Sequence, residues 1–313
     1  MIIVDEEKIV KKPLVSVRVH SYNQEQYIEQ CLDSILSQKT NFEYEIILAN
    51  NPSEDHTREI CIKYQKEHPD KIKLLLREKN LGFFANFFET GKLCRGKYIA
   101  RCDADDYWYD DSKLQKQVDL LESDDSIGLC YTNSYVLNDS TGSITTAHFR
   151  PYKGFENHLV EEPIMTLTVV HRKKLYDDYL KDIHPEEKGW LMEDSPISLW
   201  YSANSKIVGI NSITTVYRVI DNSISHPVDY EKKLAYNQSL LDIRLLFFEK
   251  YIMNNDRVRK AILNDYYRRD LADAYSTKRL DRYIDSLSKY KPTTFRNFVE
   301  VYGRLLLLKI RKD

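Results

Sequence analysis

The chain has 313 residues, which is enough for one large domain with an appendage or for two domains. Its formal net charge is −2, so no overall positive field favours nucleic acid, and we expect no nucleic-acid partner. The five cysteines show no Cys-x-x-Cys pair and indicate reduced core residues, and no apolar run reaches the length of a membrane span. Composition therefore favours a soluble, unsecreted protein.

Strands and helices alternate from the N-terminus to Cys102. Apolar periodicity predicts strands at 13–20, 44–49, 72–76 and 98–102, and helices at 24–38, 57–68 and 84–94. Because this alternation is typical of a parallel sheet covered by helices, ligands are expected at the carboxyl ends of the strands. The sequence has neither a Gly-x-Gly-x-x-Gly fingerprint nor a P-loop motif, so it does not predict a nicotinamide or P-loop nucleotide site.

The rest of the chain is predicted to contain shorter mixed elements and then only helices. The pattern predicts a helix at 113–122, a strand at 128–137, a loop-like segment at 138–162, a strand or helix start at 165–171, a helix at 175–180, an apolar helix ending at Trp200, and strands at 206–210 and 213–219. Four helices follow at 232–252, 257–275, 278–289 and 294–310. We place a domain boundary near Asp229, which gives domains 1–229 and 230–313.

Three carboxylates follow the fourth predicted strand within four residues, at Asp103, Asp105 and Asp106. Such crowding is unfavourable unless a cation or solvent compensates it. In extended backbone Asp103 and Asp105 would project to one side, a spacing that suits Mg²⁺ or Mn²⁺. The alternative is that Asp105 and Asp106 cap a helix that begins near Asp110 or Ser112. An EF-hand loop is disfavoured, because its Gly and closing Glu are missing at the required offsets.

An ordered set of motifs between residues 13 and 226 resembles family 2 of the inverting glycosyltransferases, which have the nucleotide-sugar-binding fold called GT-A. The motifs are Val15-Ser16-Val17, Tyr22-Asn23, 32–38, 53–57, Asn80-Leu81-Gly82, 96–100, 103–108, 113–115, Glu193-Asp194 and Tyr217-Arg218. The resemblance implies an α/β fold with a mainly parallel sheet flanked by helices, to which this chain adds a C-terminal helical extension. It also implies transfer of a sugar from a nucleoside diphosphate sugar to an acceptor hydroxyl.

The resemblance implies a role for single residues. Asp103 and Asp105 match the family's DxD metal motif for Mn²⁺ or Mg²⁺, with Asp106 as a further candidate ligand and His226 as a weak one. Asp194 matches the catalytic base, and an ordinary helix N-cap is the alternative for Glu193 and Asp194.

The implied donor-binding residues are Val19, His20, Ser21, Tyr22, Asn50, Asp103, Ala104, Asp105 and Arg218. Trp108, Trp190 and Glu193 are candidates for the acceptor side, although a Trp is more often a core residue. Two positions depart from the family pattern: Asn50-Asn51 replaces an acidic pair, and Ile220 stands where a His is common.

By the same resemblance, the partners would be a nucleotide sugar, with a UDP-sugar favoured, and a glycan or lipid-linked acceptor. Such enzymes often build bacterial surface polysaccharide or lipopolysaccharide in the cytoplasm, at the inner face of the membrane. A catalytically inert nucleotide-sugar-binding relative is the alternative function. The basic, apolar helix within 290–313 is predicted either to pack on the preceding helices or to contact an anionic membrane.

Overall fold

The computed structural model describes residues 1–80, 82–147, 150–161, 164–220 and 228–310, with the backbone alone for residues 82–85. The chain divides into two compact units. The first comprises residues 1–152, 163–189 and 200–220, and the second comprises residues 153–162, 190–199 and 221–313. The proposed domain boundary near Asp229 stays a prediction.

The first unit contains one ten-stranded sheet. Its strands are β1 (Ile2–Ile3), β2 (Val15–Ser21), β3 (Tyr44–Asn50), β4 (Ile72–Leu76), β5 (Tyr98–Arg101), β6 (Tyr107–Trp108), β7 (Ile127–Asn138), β8 (Ile144–Thr146), β9 (Val170–Arg172) and β10 (Lys206–Val219). The order is β1-β4-β3-β2-β5-β9-β7-β10-β6, and β8 pairs with β7. Strands β4, β3, β2 and β5 run parallel, as do β7 and β10. The predicted α/β class with a mainly parallel central sheet is confirmed.

The helices lie close to their predicted positions. They are α1 (Ile28–Leu36), α2 (Thr57–Glu67), α3 (Gly82–Leu93), α4 (Lys113–Ser123), α5 (Phe155–His158), α6 (Lys173–Ile183), α7 (Asp194–Asn204), α8 (Tyr230–Tyr251), α9 (Asp256–Ser276), α10 (Leu280–Lys289) and α11 (Phe295–Ile310). The C-terminal region from Tyr230 to Ile310 contains only helices, as predicted. No helix in the described parts of the chain combines the length and apolar character needed to cross a membrane.

Two local predictions were wrong, and a third, which left strand and helix open, is resolved by the structure. The two strands predicted at 206–210 and 213–219 form one strand, β10, whose pairing with β7 shifts register between Gly209 and Ile213. A register shift of this kind absorbs extra residues without ending the strand. The segment 138–162, predicted as a loop, contributes β8 and α5, and the segment 165–171 forms a 3₁₀ turn followed by β9.

Strand β2 is buried on both faces, although its sequence alternates apolar and polar residues. Its three valines lie in the main core of the first unit, and the alternate residues Ser16, Arg18 and His20 are also buried. This happens because helices cover both faces of β2: α1 shares the core with the valines, and Arg18 on the opposite face donates to Thr90 of α3. The buried polar residues are therefore hydrogen-bonded: Ser16 Oγ donates to Glu45 Oε1 at 2.7 Å.

All five cysteines are buried and free. They are Cys31, Cys61, Cys94, Cys102 and Cys130. Burial raises the pKa of the Cys61 thiol to about 12, so it stays protonated at neutral pH. The prediction that the cysteines are core residues is confirmed.

The second unit has its own apolar core, formed by α8 to α11. Its buried members are Tyr230, Leu271, Ala274, Tyr283, Tyr290, Val301 and Leu308. Two of the tyrosines have hydrogen-bonded hydroxyls: Tyr283 donates to the Val301 carbonyl at 2.6 Å, and Tyr230 donates to Asp270 at 2.8 Å. These bonds make the burial of a tyrosine favourable. The Tyr283 bond also joins α10 to α11, and the Tyr230 bond joins α8 to α9.

Candidate active site

The carboxyl ends of β2, β3 and β5 meet at one edge of the sheet, and most of the predicted donor-binding residues lie there. Ser21 and Asn50 are register partners at the ends of β2 and β3. The backbone N–H of Ala104, which follows β5, donates to the His20 carbonyl at 3.3 Å. Parallel pairing therefore brings together side chains that the sequence places far apart. We call Ser21, Asn50 and residues 103–106 the donor edge.

The acidic motif is a turn and not an extended continuation of β5. The strand ends at Arg101, and the Asp106 N–H donates to the Asp103 carbonyl at 3.0 Å, which closes the turn. The expected alternation of side chains across a strand at Asp103 and Asp105 was therefore wrong, because alternation needs extended backbone. The helix-cap alternative is also wrong. Helix α4 begins at Lys113, and the carboxylate that accepts from the Ser112 N–H belongs to Asp110.

The three carboxylates of the turn differ in their partners. Asp103 accepts from Arg101 Nε at 2.9 Å. Asp106 is 3% exposed and accepts from the Arg218 N–H at 2.7 Å. Asp105 is partly exposed. Burial, followed by the charge of Asp103, raises the pKa of Asp105 to about 6. Burial and the charge of Asp105 raise the pKa of Asp106 well above its usual range. The two pKa values are raised although Arg101 and Arg218 lie nearby, so these cations do not fully compensate the negative charge of the turn.

Two carboxylates of the turn are candidate ligands for a hard divalent cation. Within the described ranges, one set of three potential metal-binding side chains has all its ligand atoms within 4.8 Å, and it is the exposed group His184, Glu186 and Glu187. The three aspartates of the turn thus do not form a three-ligand site. Carboxylate oxygens are the ligands that Mg²⁺ and Mn²⁺ prefer, and two suffice when substrate phosphates supply the others. Asp103 and Asp105 are the candidates for that pair, whereas the Asp106 carboxylate accepts a hydrogen bond from the Arg218 N–H of β10.

The side chain of Arg218 joins three parts of the first unit to the acidic turn. Its Nε donates to the Asp105 carbonyl at 2.9 Å, one terminal nitrogen contacts Asp139 at 2.9 Å, and the other donates to Gln30 at 2.8 Å. The guanidinium lies 4.5 Å from the centre of the Tyr27 ring. The Tyr27 hydroxyl in turn donates to Asp139 at 2.7 Å. Sequence reasoning missed these partners, because no motif marks them.

The amide of Asn50 has a defined orientation. Its Nδ2 donates to the hydroxyls of Ser21 and Ser53, each at 3.1 Å. Ser53 Oγ donates its own proton to the Asn51 carbonyl at 3.1 Å, so it can only accept from Asn50. Asn50 Oδ1 is consequently an acceptor, and it is buried without a hydrogen-bond partner among the described residues. A buried acceptor in this state favours a ligand with an N–H donor.

A buried polar cluster lies beneath the donor edge. Thr90 Oγ1 accepts from Arg18 at 2.9 Å and contacts His20 Nε2 at 2.8 Å. Burial, and then the charge of Arg18, holds the pKa of His20 well below its usual value. His20 is therefore neutral at physiological pH. Tyr22, which follows the end of β2, differs from this buried cluster, because 44% of its surface is exposed.

The predicted base and its neighbours lie in the second unit. Asp194 is the first residue of α7, and its Oδ1 accepts from the Ser195 N–H at 2.8 Å. Asp194 is partly exposed, whereas Glu193 and Trp190 are buried. Part of the Asp194 carboxylate surface is therefore open to a substrate hydroxyl.

Two predicted site residues remain, Trp108 and His226. Trp108 lies in the core of the first unit with the Lys113 ammonium 4.5 Å from its ring centre, which favours the core alternative for this residue. Burial lowers the pKa of that lysine to about 8. His226, the weak metal candidate, lies outside the described residues.

A comparison with known families decides the class of the chain. Residues 16–178, more than half of the chain, match the model of glycosyl transferase family 2. The chain belongs to this family. The resemblance drawn from its motifs is confirmed, and the matched residues include β2 from Ser16 onward, β3, β5 and the acidic turn.

Curated relatives of this family 2 member cover different parts of it. An uncharacterised protein of Mycobacterium tuberculosis is 30% identical over 210 residues, which are 66% of this chain and 59% of that protein. The chain thus spans less than two thirds of that relative's length. The putative teichuronic acid biosynthesis glycosyltransferase TuaG of Bacillus subtilis is 29% identical over 219 residues, which are 68% of this chain and 82% of TuaG.

Solved structures show the same fold at lower identity. S. aureus TarS 1–349 in complex with UDP-GlcNAc is 17% identical, with a TM-score of 0.56 over 87% of this chain and 88% of that one. The mannosyltransferase PcManGT from Pyrobaculum calidifontis, in complex with GDP-Man and Mn²⁺, is 15% identical, with a TM-score of 0.55 over 96% of this chain and 87% of that one. These similarities confirm the GT-A fold of the family 2 member.

Proposed function

We propose that this protein is an inverting, metal-dependent glycosyltransferase that moves a sugar from a nucleoside diphosphate sugar to an acceptor hydroxyl. The observation that carries the proposal is the donor edge: two carboxylates on the turn after β5 lie at the same sheet edge as the oriented Asn50 amide, whose oxygen has no hydrogen-bond partner among the described residues. That arrangement suits a ligand with a diphosphate at one end and a base at the other. TarS and PcManGT, which share the fold, are in complex with UDP-GlcNAc and GDP-Man.

Asp103 and Asp105 would hold the divalent cation, Mn²⁺ or Mg²⁺, which when bound neutralises charge on the diphosphate leaving group. The Mn²⁺ in the PcManGT complex supports this choice of cofactor. Asp106 and Arg218 fix the conformation of the turn. The Asp106 carboxylate accepts a hydrogen bond from the Arg218 N–H, and the Arg218 guanidinium donates one to the Asp105 carbonyl. We therefore assign Asp106 and Arg218 to positioning.

Asn50 would accept a hydrogen bond from the nucleobase. Uracil and guanine both present a ring N–H to such an acceptor, so uridine and guanosine donors fit its chemistry. An amide oxygen lacks the negative charge of a carboxylate, and the bond is correspondingly weaker. We propose a UDP-sugar as the donor, in line with the UDP-GlcNAc bound by TarS. The backbone around Val19, His20, Ser21 and Tyr22 would line the nucleoside.

Asp194 would act as the general base. Its carboxylate removes the proton of the acceptor hydroxyl, the hydroxyl oxygen attacks the anomeric carbon, and the bond from that carbon to the diphosphate oxygen breaks on the opposite side. Because attack and departure occur on opposite faces, the configuration at the anomeric carbon inverts. Trp190 and Glu193, beside Asp194 in the chain, are proposed on the acceptor side.

The acceptor is proposed to be a glycan or a lipid-linked glycan of bacterial surface polysaccharide or lipopolysaccharide, assembled in the cytoplasm. TuaG, which carries a putative role in teichuronic acid biosynthesis, supports this class of pathway. Fold alone does not identify the acceptor, since related sites on one fold accept many substrates.

A donor screen tests the function. The purified protein is incubated with single nucleoside diphosphate sugars, with Mn²⁺ or with a chelator, and release of the nucleoside diphosphate is measured. We expect release from one donor class, lost with the chelator and in Asp105→Ala. The matched control is Asp111→Ala, because Asp111 is an exposed acid paired with Lys39 on the surface. Tight donor binding without turnover would support the inert relative, and no binding of any donor would contradict both functions.

A further inference from the structure

Helix α11 has two apolar faces, and one of them has no partner in the described structure. The inner face packs into the core of the second unit through Val301 and Leu308, with Leu305 partly buried beside them. The other face carries seven large apolar residues that are between 41% and 81% exposed. They are Phe295, Phe298, Val299, Tyr302, Leu306, Leu307 and Ile310. We call this second set the outer stripe.

The outer stripe follows the helical repeat. Phe295, Phe298 or Val299, Tyr302, Leu306 and Ile310 recur every three or four residues, so they lie along one side of the helix. Neighbouring members touch, since the rings of Phe298 and Tyr302 have centroids 4.4 Å apart. Scattered exposed apolar residues are normal on a protein surface, but a continuous stripe along a whole helix marks an interaction surface.

The charges beside the stripe are positive. Arg296 and Lys309 are exposed, and neither forms an ion pair with any residue that the structure describes. Successive residues turn by about 100°, so Arg296 and Lys309 lie on opposite sides of the stripe's centre line, one near each end of the helix. The single acid of the helix, Glu300, is paired with Arg304 at 2.6 Å. The exposed charges that α11 carries along the stripe are thus cations, and the one acid of this helix is paired.

We propose that the outer stripe of α11 binds the surface of an anionic lipid membrane. Phenylalanine, leucine and isoleucine side chains would enter the boundary between headgroups and acyl chains, while Arg296 and Lys309 would contact anionic headgroups. Tyrosine suits this boundary, because its ring is apolar and its hydroxyl can stay in water. The helix lies along the surface without crossing it.

The charge pattern favours a membrane over a second copy of the chain. If two outer stripes met in a symmetric dimer, Arg296 would face either Arg296 or Lys309 of the other copy. Like charges would then be brought together at both ends of the contact, with no free acid to pair with them. An anionic lipid surface presents the opposite charge over the whole length of the helix.

Vesicle flotation of the full chain tests the proposal. The probes are vesicles of phosphatidylcholine with phosphatidylglycerol, and vesicles of phosphatidylcholine alone. We expect the protein to float with the anionic vesicles and to bind less in high salt. In the triple variant Phe298→Ser, Tyr302→Ser, Leu306→Ser the partition coefficient should fall by about tenfold or more, because three large apolar contacts are lost. The variant Arg296→Gln, Lys309→Gln should lose most of the preference for anionic vesicles.

The matched control replaces two exposed apolar residues of other segments in the second unit, as Met253→Ser, Ile284→Ser. It should bind vesicles like the unmodified protein. Circular dichroism and the thermal midpoint check that each variant is folded. Equal flotation of the unmodified protein and the triple variant would overturn the proposal. A second result would also overturn it: the unmodified protein binds no vesicles and instead forms a dimer in lipid-free sedimentation equilibrium, and the triple variant abolishes that dimer. These readouts use no sugar donor, so they are independent of the proposed transferase activity.

Discussion

The Nε atom of Arg218 donates a hydrogen bond to the backbone carbonyl of Asp105 at 2.9 Å. The two residues are 113 positions apart in the chain. The same guanidinium contacts Asp139, which directly follows β7, and Gln30 of α1, so Arg218 links these two segments to the acidic turn. A bond to a backbone carbonyl constrains the path of the turn and leaves the Asp105 carboxylate available for a ligand.

We predict that Arg218→Lys lowers kcat/KM for the donor reaction by about tenfold or more, because a lysine ammonium cannot reproduce the planar fork of three directed donors. The metal concentration needed for half-maximal activity should rise as well, since the turn that carries Asp103 and Asp105 loses a constraint. Steady-state kinetics with titrated Mn²⁺ measure both effects. Arg150→Lys is the control, because Arg150 is an exposed arginine of the same unit. Unchanged kinetics in Arg218→Lys would contradict the positioning role.

We predict that Asp194→Asn lowers kcat by about 10²- to 10⁴-fold and leaves the dissociation constant of the donor nearly unchanged, because the amide cannot take a proton from the acceptor hydroxyl. Single-turnover kinetics and calorimetric titration of the nucleoside diphosphate separate the two quantities. The control is Asp178→Asn, which changes an acid paired with Lys174 on α6. Turnover at the unmodified rate in Asp194→Asn would remove Asp194 as the base.

We predict that Asn50→Ala lowers the affinity for UDP by about tenfold, because the nucleobase loses its acceptor and the Ser21 and Ser53 hydroxyls lose their donor. The affinity for pyrophosphate in the same buffer with Mn²⁺ should not change, since pyrophosphate has no base. Calorimetry with both ligands therefore contains its own control. A parallel loss of pyrophosphate affinity would show that Asn50 acts on the diphosphate end of the site, contrary to the proposal.

We predict that Asp265→Asn destabilises the second unit at pH 7 by about 3 kcal/mol, because the buried Arg244 loses its carboxylate partner at 2.7 Å. Burial opposes ionisation of Asp265, but the charges of Arg269 and Arg244 outweigh it and lower its pKa from 3.8 to about 2. The folded pKa lies below the unfolded one. Ionisation of Asp265 therefore adds about 2 kcal/mol to the free energy of unfolding above pH 3.8, and this stabilisation is lost as the pH falls through 2.

Urea unfolding of both proteins between pH 7 and pH 2 measures this effect. The difference in the free energy of unfolding between the unmodified protein and Asp265→Asn should shrink as the pH approaches 2. Asp281→Asn is the control, because Asp281 is an exposed acid that pairs with Arg279. A difference that stays constant over this range would mean that ionisation of Asp265 does not stabilise the fold.

Much of the fold could be predicted from the sequence. Periodicity located β4 at its observed bounds and α2, α4 and α9 within one or two residues. The polar residues after β2, β3 and β5 correctly marked the edge where the predicted donor-binding residues lie. These predictions succeeded because apolar periodicity and strand-ending residues act through near neighbours in the chain. The ordered motifs were specific enough to identify the family.

Contacts between distant residues were decided by the tertiary structure alone. The sequence suggested extended backbone at Asp103 and Asp105, whereas the chain turns there and Arg218 holds the turn from 113 residues away. The orientation of the Asn50 amide depends on two serine hydroxyls, and the second apolar face of α11 is visible only once Val301 and Leu308 are seen to be packed. Local sequence determines which residues form a strand or helix. Packing determines which of their hydrogen-bonding groups, charges and apolar surfaces are left available for a ligand.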